Sequence, residues 1–340
     1  MSKRPIASLS LDLDNKWAYL RAAGRDDWQQ SSSILPVAID RIVDVLGSLN
    51  LPLTVFLVGR DLEVEQDVIA IERFGQLRQW EPANHSWNHL PWMHTMESGE
   101  AEDEILITQQ RIVEVLGRRP LGFRGPGFSC PDSVLDILLR QGYRYDASVF
   151  PTSVAPLARW FFLMKTDLKG EQREKAKQLY GGFRSLLQPN RPFVRSHRGD
   201  AIWEVPVTVM PLTRLPIHMS YLTYLASFSV PAAKAYFTLA LRLAAWTGTA
   251  PSFLLHPPDF MGREDDEDLS YMPGMAMKRS AKLSFVRWAL HHYQQTFDVR
   301  VMIDQLRRID PQIDPDEAVL TTPASHITTK ATPYAGSEST

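Results

Sequence analysis

His85 and His89 bound the run HSWNH, and two imidazoles at that spacing can offer nitrogen ligands to one divalent cation. Residues four apart share a face on a helical turn, which is the arrangement the spacing predicts. The run is not a zincin motif, because Ser86 stands where that motif carries its glutamate base. A cation held by this pair therefore needs a carboxylate ligand and a base from elsewhere. Taken alone, the two histidines read equally well as surface or capping residues.

The stretch SLSLDLDNKW, residues 8–17, supplies carboxylates. Leu9, Leu11 and Leu13 alternate with Ser8, Ser10, Asp12 and Asp14, the period of a strand with one buried and one distinct face. On such a strand Asp12 and Asp14 point to the same side, roughly 6–7 Å apart. Carboxylates that close repel unless a positive charge or a proton separates them. FRGPGFS (123–129) adds Arg124 and a Gly–Pro–Gly turn, and LLHPPDF (254–260) adds His256 after an apolar run. All four elements fall at the C-terminal ends of predicted strands, where α/β folds gather ligands and catalytic groups.

The elements that must position them alternate regularly. Strands are predicted at 6–13, 53–58, 77–82 and in the short segment into Phe123, with helical stripes in AIDRIVDVLGSL, EDEILITQQRIVEVLG and PDSVLDILLRQG between and after them. That succession implies a parallel sheet with right-handed crossovers. After Pro151 the pattern loosens into an aromatic and basic insert at about 155–200. Strands resume at 201–209 and 251–256, a long helix is predicted over 275–293, and DVRVMI (298–303) reads as a last strand. Residues 1–310 thus read as one catalytic domain and 311–340 as a disordered, Pro- and Thr-rich tail. The acidic run REDDEDL (263–269) reads as a solvated loop.

Composition is that of a soluble globular protein, 44% hydrophobic and 22% charged. With 37 basic and 39 acidic residues there is no basic excess of the kind nucleic-acid binding needs. Cys130 is the one cysteine, so no internal disulfide forms, and a reducing compartment is expected. The N-terminus lacks a signal-peptide pattern, which points to the cytoplasm. No run of 18 apolar residues occurs. Residues 221–246 come closest, and fit a buried helix pair or a surface seated on lipid.

DLD at 12–14, HSWNH at 85–89, RGP at 124–126 and LLH at 254–256, in that order, resemble the motifs of the polysaccharide deacetylase superfamily, the NodB-homology group of metal-dependent carbohydrate esterases. GYRYDASVFP (142–151) resembles the segment that follows the third motif. The resemblance implies a deformed (β/α) barrel, with Asp14, His85 and His89 holding a metal and Asp12 as general base. It further implies Arg124 orienting Asp12, the Gly127 N–H helping to form an oxyanion hole, and His256 as general acid. The metal is expected to be Zn2+, with Co2+, Ni2+, Mn2+ or Fe2+ able to take the same ligands.

The carboxylates are DxD rather than adjacent, a spacing the resemblance associates with intracellular deacetylases and lipid-linked sugar deformylases. Gly127 stands where many members carry an aromatic residue, and Trp203–Glu204 reverses the order of the family's Asp-Trp motif. Trp203 reads more simply as a core aromatic. The expected substrate is an N-acylated sugar, acetyl or formyl, as an intracellular, lipid- or nucleotide-linked precursor, with peripheral contact at the inner membrane face. The alternatives are hydrolysis of a non-sugar C–N bond of imide or ureide type, and a non-catalytic metal-binding or lipid-surface module. His94, His197, His218, His291, His292, His326 and Cys130 carry no such signal.

Overall fold

The computed structural model describes residues 4–154 and 186–313, so the tail beyond 313 and most of the expected insert lie outside the described residues. The strands are β1 (Ile6–Leu13), β2 (Leu53–Leu57), β3 (Trp80–Asn84), β4 (Gly122–Phe123), β5 (Tyr145–Asp146), β6 (Phe193–His197), β7 (Asp200–Glu204), β8 (Ser252–Leu255) and β9 (Asp298–Arg300). The helices are α1 (Lys16–Ala22), α2 (Leu35–Ser48), α3 (Glu65–Glu72), α4 (Ser98–Leu116), α5 (Asp132–Arg140), α6 (Met219–Phe228), α7 (Val230–Trp246), α8 (Arg279–Thr296) and α9 (Met302–Ile309). The sheet order is β6-β7-β5-β4-β3-β2-β1-β8, with β9 also paired to β1; every pairing is parallel except β6 with β7. The chain is therefore α/β, as expected.

β1 is the hub. It pairs with β2 through Ser10–Leu13, with β8 through Ser8–Leu11 and with β9 through Ile6–Ser8. Both of its faces are buried: the leucines join the large apolar core with α2, α7 and α8, while Ser8, Ser10 and Asp12 line the other side. At the far end of the order, the stretch after β7 reaches back to β8. Thr208 donates its N–H to Ser252 O at 3.1 Å and accepts from Ser252 N at 2.8 Å, and Val207 and Val209 share a core with Leu254. Two hydrogen bonds, rather than a strand ladder, thus draw the sheet round toward a barrel.

Three expectations shift. β3 lies two to three residues later than the apolar pattern suggested. β6 and β7 form an antiparallel hairpin at the end of the expected insert. DVRVMI is a strand only through Arg300: Met302 begins α9, because its N–H and that of Ile303 find the buried acceptors Thr54 Oγ1 (2.8 Å) and Glu81 Oε2 (3.2 Å). Such capping of free helix N–H groups fixes where a helix starts. The acidic run is pinned rather than solvated. Asp265 pairs with Arg41 and Arg279, and Asp266 and Asp268 pair with Lys16.

Candidate active site

Asp12 lies near the end of β1 and Asp14 just beyond it, both almost fully buried. Arg124, delivered by the end of β4, is completely buried against them. Its Nη1 donates to Asp12 Oδ1 at 2.5 Å and to Ser10 Oγ at 3.2 Å, its Nε donates to Ala147 O at 2.9 Å, and its guanidinium lies 4.1 Å from the Phe56 ring centroid. A buried charge is tolerated when it is paired and hydrogen-bonded, and each partner here meets that need for the other. One oxygen of Asp12 is thereby fixed. The other, Oδ2, faces His85 Nε2 at 4.0 Å and His256 Nε2 at 3.9 Å.

HSWNH is a loop, not a helical turn. His85 directly follows β3, and Ser86 and His89 adopt left-handed backbone angles (φ 62° and 50°) that fold the run back on itself. The imidazoles still meet, with ring centroids 5.0 Å apart. Neighbouring elements clamp the loop. Asn84 Oδ1 accepts from Ser86 N, Gly59 N donates to Ser86 O, Arg60 N donates to Trp87 O, and the Glu104 carboxylate takes Asn88 N and Nδ2. Gly59 is required for this approach, since a Cβ there would sit 2.4 Å from Trp87 Cε3.

His85 Nδ1 lies 2.6 Å from Arg124 O, and a carbonyl only accepts, so Nδ1 carries the proton and the Nε2 lone pair points inward. That nitrogen is 3.4 Å from Asp14 Oδ1, and His89 Nε2 is 3.1 Å from the same oxygen. With His85 neutral in this tautomer, Asp14 Oδ1 receives no hydrogen bond from its Nε2. Burial alone would raise the Asp14 carboxyl, but the charge of His89 and hydrogen bonds from both histidines hold it well below the usual carboxylate range. Burial likewise opposes charge on His85, yet Asp12 and Asp14 raise its proton affinity. A cation between these groups would balance the buried carboxylates and use the inward His85 lone pair. The ligand atoms of Asp14, His85 and His89 lie within 4.8 Å of one another, and two imidazoles with one carboxylate suit zinc and its first-row neighbours.

His256 follows β8 and completes the cleft from the other side. Its Nδ1 is 3.0 Å from Ser220 Oγ at the start of α6, and its backbone N–H donates to Asp259 Oδ2 at 2.8 Å. His218 lies beside it, with ring centroids 6.3 Å apart, and is wedged against Phe150. Burial, reinforced by the neighbouring His256, pushes the His218 imidazole down to about 3, so it is neutral. Tyr19 faces the same cleft. Its phenol is raised by burial, then by the charges of Asp14, Asp259 and Asp12, and its hydroxyl has no partner among the described residues.

Sequence reasoning passed over His218, Ser220 and Tyr19, because no spacing in the chain announces them. Only the docking of α1 and α6 against β1 and β8 brings them in. Gly127 lies where the chain makes a tight turn after Arg124, at φ 60°, and a Cβ there would meet Pro91. Phe128, one residue later, packs against Phe150 at a tilt, with ring centroids 4.9 Å apart. Glu204 is not part of this cleft: it is buried with Asp146, near Arg195, and burial followed by the Asp146 charge raises it well above the usual range. Cys130 is likewise raised, by burial and then by Asp146, which leaves it an unreactive thiol.

Residues 26–145 match the family model for polysaccharide deacetylase. A peptidoglycan deacetylase of Helicobacter pylori is 23% identical over 164 residues, 46% of this chain and 53% of that protein, so the match spans about half the relative's length. Polysaccharide deacetylase-family structures from Mycobacterium smegmatis and Pseudomonas aeruginosa superpose with TM-scores of 0.54 and 0.56, each at 14% identity. The first comparison covers 95% of this chain and 99% of the other, the second 91% of each. An allantoinase superposes equally well, with a TM-score of 0.54 at 14% identity over 92% of both chains. The motif order and these likenesses agree: over residues 26–145 the chain is similar to the polysaccharide deacetylase family, and its fold is similar to that of the solved structures.

Proposed function

We propose that the protein is a metal-dependent hydrolase that removes an N-acyl group, acetyl or formyl, from a sugar. The observation that carries this reading is the convergence of Asp14, His85 and His89 with Asp12 and His256 facing the same point. Asp14, His85 and His89 would hold a divalent cation, zinc being the default. Bound there, it supplies Lewis acidity that polarises the acyl carbonyl and acidifies water. The chain's own groups do the rest. Asp12, one oxygen tied to Arg124, takes the water proton on the other as oxygen attacks the carbonyl carbon. The Gly127 N–H receives the developing oxyanion, a contact worth several kcal/mol in other enzymes. His256, steadied by Ser220, donates a proton to the leaving nitrogen as the C–N bond breaks. The products are a free amine and a carboxylic acid.

The substrate is assigned as an intracellular, carrier-linked precursor, with residues 1–310 acting as one catalytic domain. Peripheral membrane contact is supported by an outward apolar stripe on α6 and α7, where Phe228, Leu239 and Trp246 are 74%, 52% and 77% exposed. Among the described residues no helix is long and apolar enough to cross a membrane. Absence of the protein from floated liposomes would remove this part of the reading. A second reading, hydrolysis of a ureide or imide C–N bond, uses the same groups and is favoured by the likeness to allantoinase.

The test is to purify the protein, measure its metal and assay acetate and formate released from N-acyl sugars, with allantoin as the rival substrate. His85→Ala is expected to lose the metal. Asp12→Asn is expected to keep it and lose roughly 10²-fold or more in turnover. A fully active Asp12→Asn enzyme refutes the assignment of the base.

A further inference from the structure

Two arginines border the residues between the histidine ligands. Arg60, in the turn after β2, donates its backbone N–H to Trp87 O at 3.1 Å. Arg21, in the last turn of α1, donates Nη1 to Asn88 O at 3.3 Å. Their guanidinium carbons lie 5.1 Å and 5.0 Å from the ring centroid of one indole, Trp28, so the two are at most about 10 Å apart. Arg60 also lies over Trp17, at 5.3 Å. Arg21 ends the short helix that follows Asp14, and the Asn88 carbonyl that it bonds is one residue from His89.

Like charges this close normally come with acids to balance them. The other cations nearby have theirs: Lys16 takes Asp266 and Asp268, Arg25 takes Asp27, and Arg41 takes Asp265. Arg21 and Arg60 meet no carboxylate within ion-pair distance among the described residues. The acids closest to them are committed elsewhere. Glu104 is bonded to Asn88, and Asp61 turns inward to Asn15 Nδ2 and Trp17 Nε1. Burial, reinforced by the neighbouring Arg60 charge and only partly offset by Glu104, weakens the hold of Arg21 on its proton. Both side chains are only half-buried, so a ligand can reach them. Two guanidinium forks packed against one indole match an oxoanion with several oxygens to share, a phosphate better than a carboxylate.

We propose that Arg21, Arg60 and Trp28 form a subsite for a phosphate group carried by the acylated substrate. The identity of the rest of the substrate rests on the N-acyl hydrolase reading; the subsite itself does not. Binding a remote phosphate would anchor the sugar and let that binding energy serve the reacting bond.

The first experiment titrates metal-loaded wild-type protein, Arg60→Lys and the Arg21→Gln/Arg60→Gln double variant with methyl phosphate by calorimetry at low salt. At equal metal content the double variant is expected to bind roughly tenfold more weakly or worse, with Arg60→Lys between. Equal affinities would overturn the subsite. A second measurement compares kcat/KM for an N-acetylhexosamine 1-phosphate with that for its uncharged methyl glycoside. Wild type is expected to prefer the phosphate by roughly tenfold, through KM, and the double variant to lose that preference. An unchanged ratio overturns the proposal. Inactivity on both sugars refutes the hydrolase reading, and the calorimetric arm then decides the subsite alone. Arginine-dependent flotation with phosphatidylglycerol vesicles, without a phosphosugar preference, would give the patch to a lipid headgroup and overturn the substrate assignment.

Discussion

At the scale of single residues, Asp12 and Asp14 coexist because their surroundings divide them. Arg124 compensates Asp12 through a fully buried pair, while Asp14 turns to the two histidines. His218 carries a consequence for pH. Its folded imidazole titrates at about 3 against an ordinary 6.5, because burial and His256 disfavour charge. Between those values the unfolded chain binds the proton and the folded chain does not, so this contribution is intact above 6.5 and is lost as pH falls. The slope approaches about 1.4 kcal/mol per pH unit at most. Thermal melts at pH 7.5 and pH 5 should show His218→Phe losing less stability than wild type over that interval. A parallel decline in both proteins would mean that His218 is not the group responsible.

At the scale of elements, the legible parts were those with a period. β1, β2 and helices α2, α4, α5 and α8 followed their apolar spacing to within a few residues, and the strand-end placement of Asp14, His85, Arg124 and His256 was legible with them. Two things were hidden. The HSWNH loop meets the expectation of adjacent imidazoles through left-handed residues and side-chain clamps rather than helical geometry, and neither leaves a periodic trace. The start of α9 depends on Thr54 and Glu81, hundreds of residues away in the chain. Gly59 tests the loop's dependence on its neighbours. Gly59→Ala puts a methyl 2.4 Å from Trp87 and 2.5 Å from Thr108, and should cost roughly 1–3 kcal/mol and weaken metal binding. Gly47→Ala, in open space on α2, should be neutral or slightly stabilising by thermal melting. Unchanged metal titration in Gly59→Ala would show that the loop is held by something else.

For the whole molecule, the seam between the stretch after β7 and β8 has a mechanical meaning. β1, which bears Asp12 and leads to Asp14, is laced to three strands; β8, which leads to His256, is laddered to one and tacked to the other side by Thr208. Local opening concentrates where hydrogen-bonded support is thinnest. The proposed proton donor, His256, is thus mounted on the compliant border of the barrel, and the proposed base and metal ligand, Asp12 and Asp14, on or beside its stiffest beam. Amide hydrogen exchange should reveal the difference as fast opening at 205–209 and 252–256 against slow exchange throughout β1, and uniform protection across both would contradict it. A molecule so built can flex the wall that bears His256 while Asp12 and Asp14 stay in register.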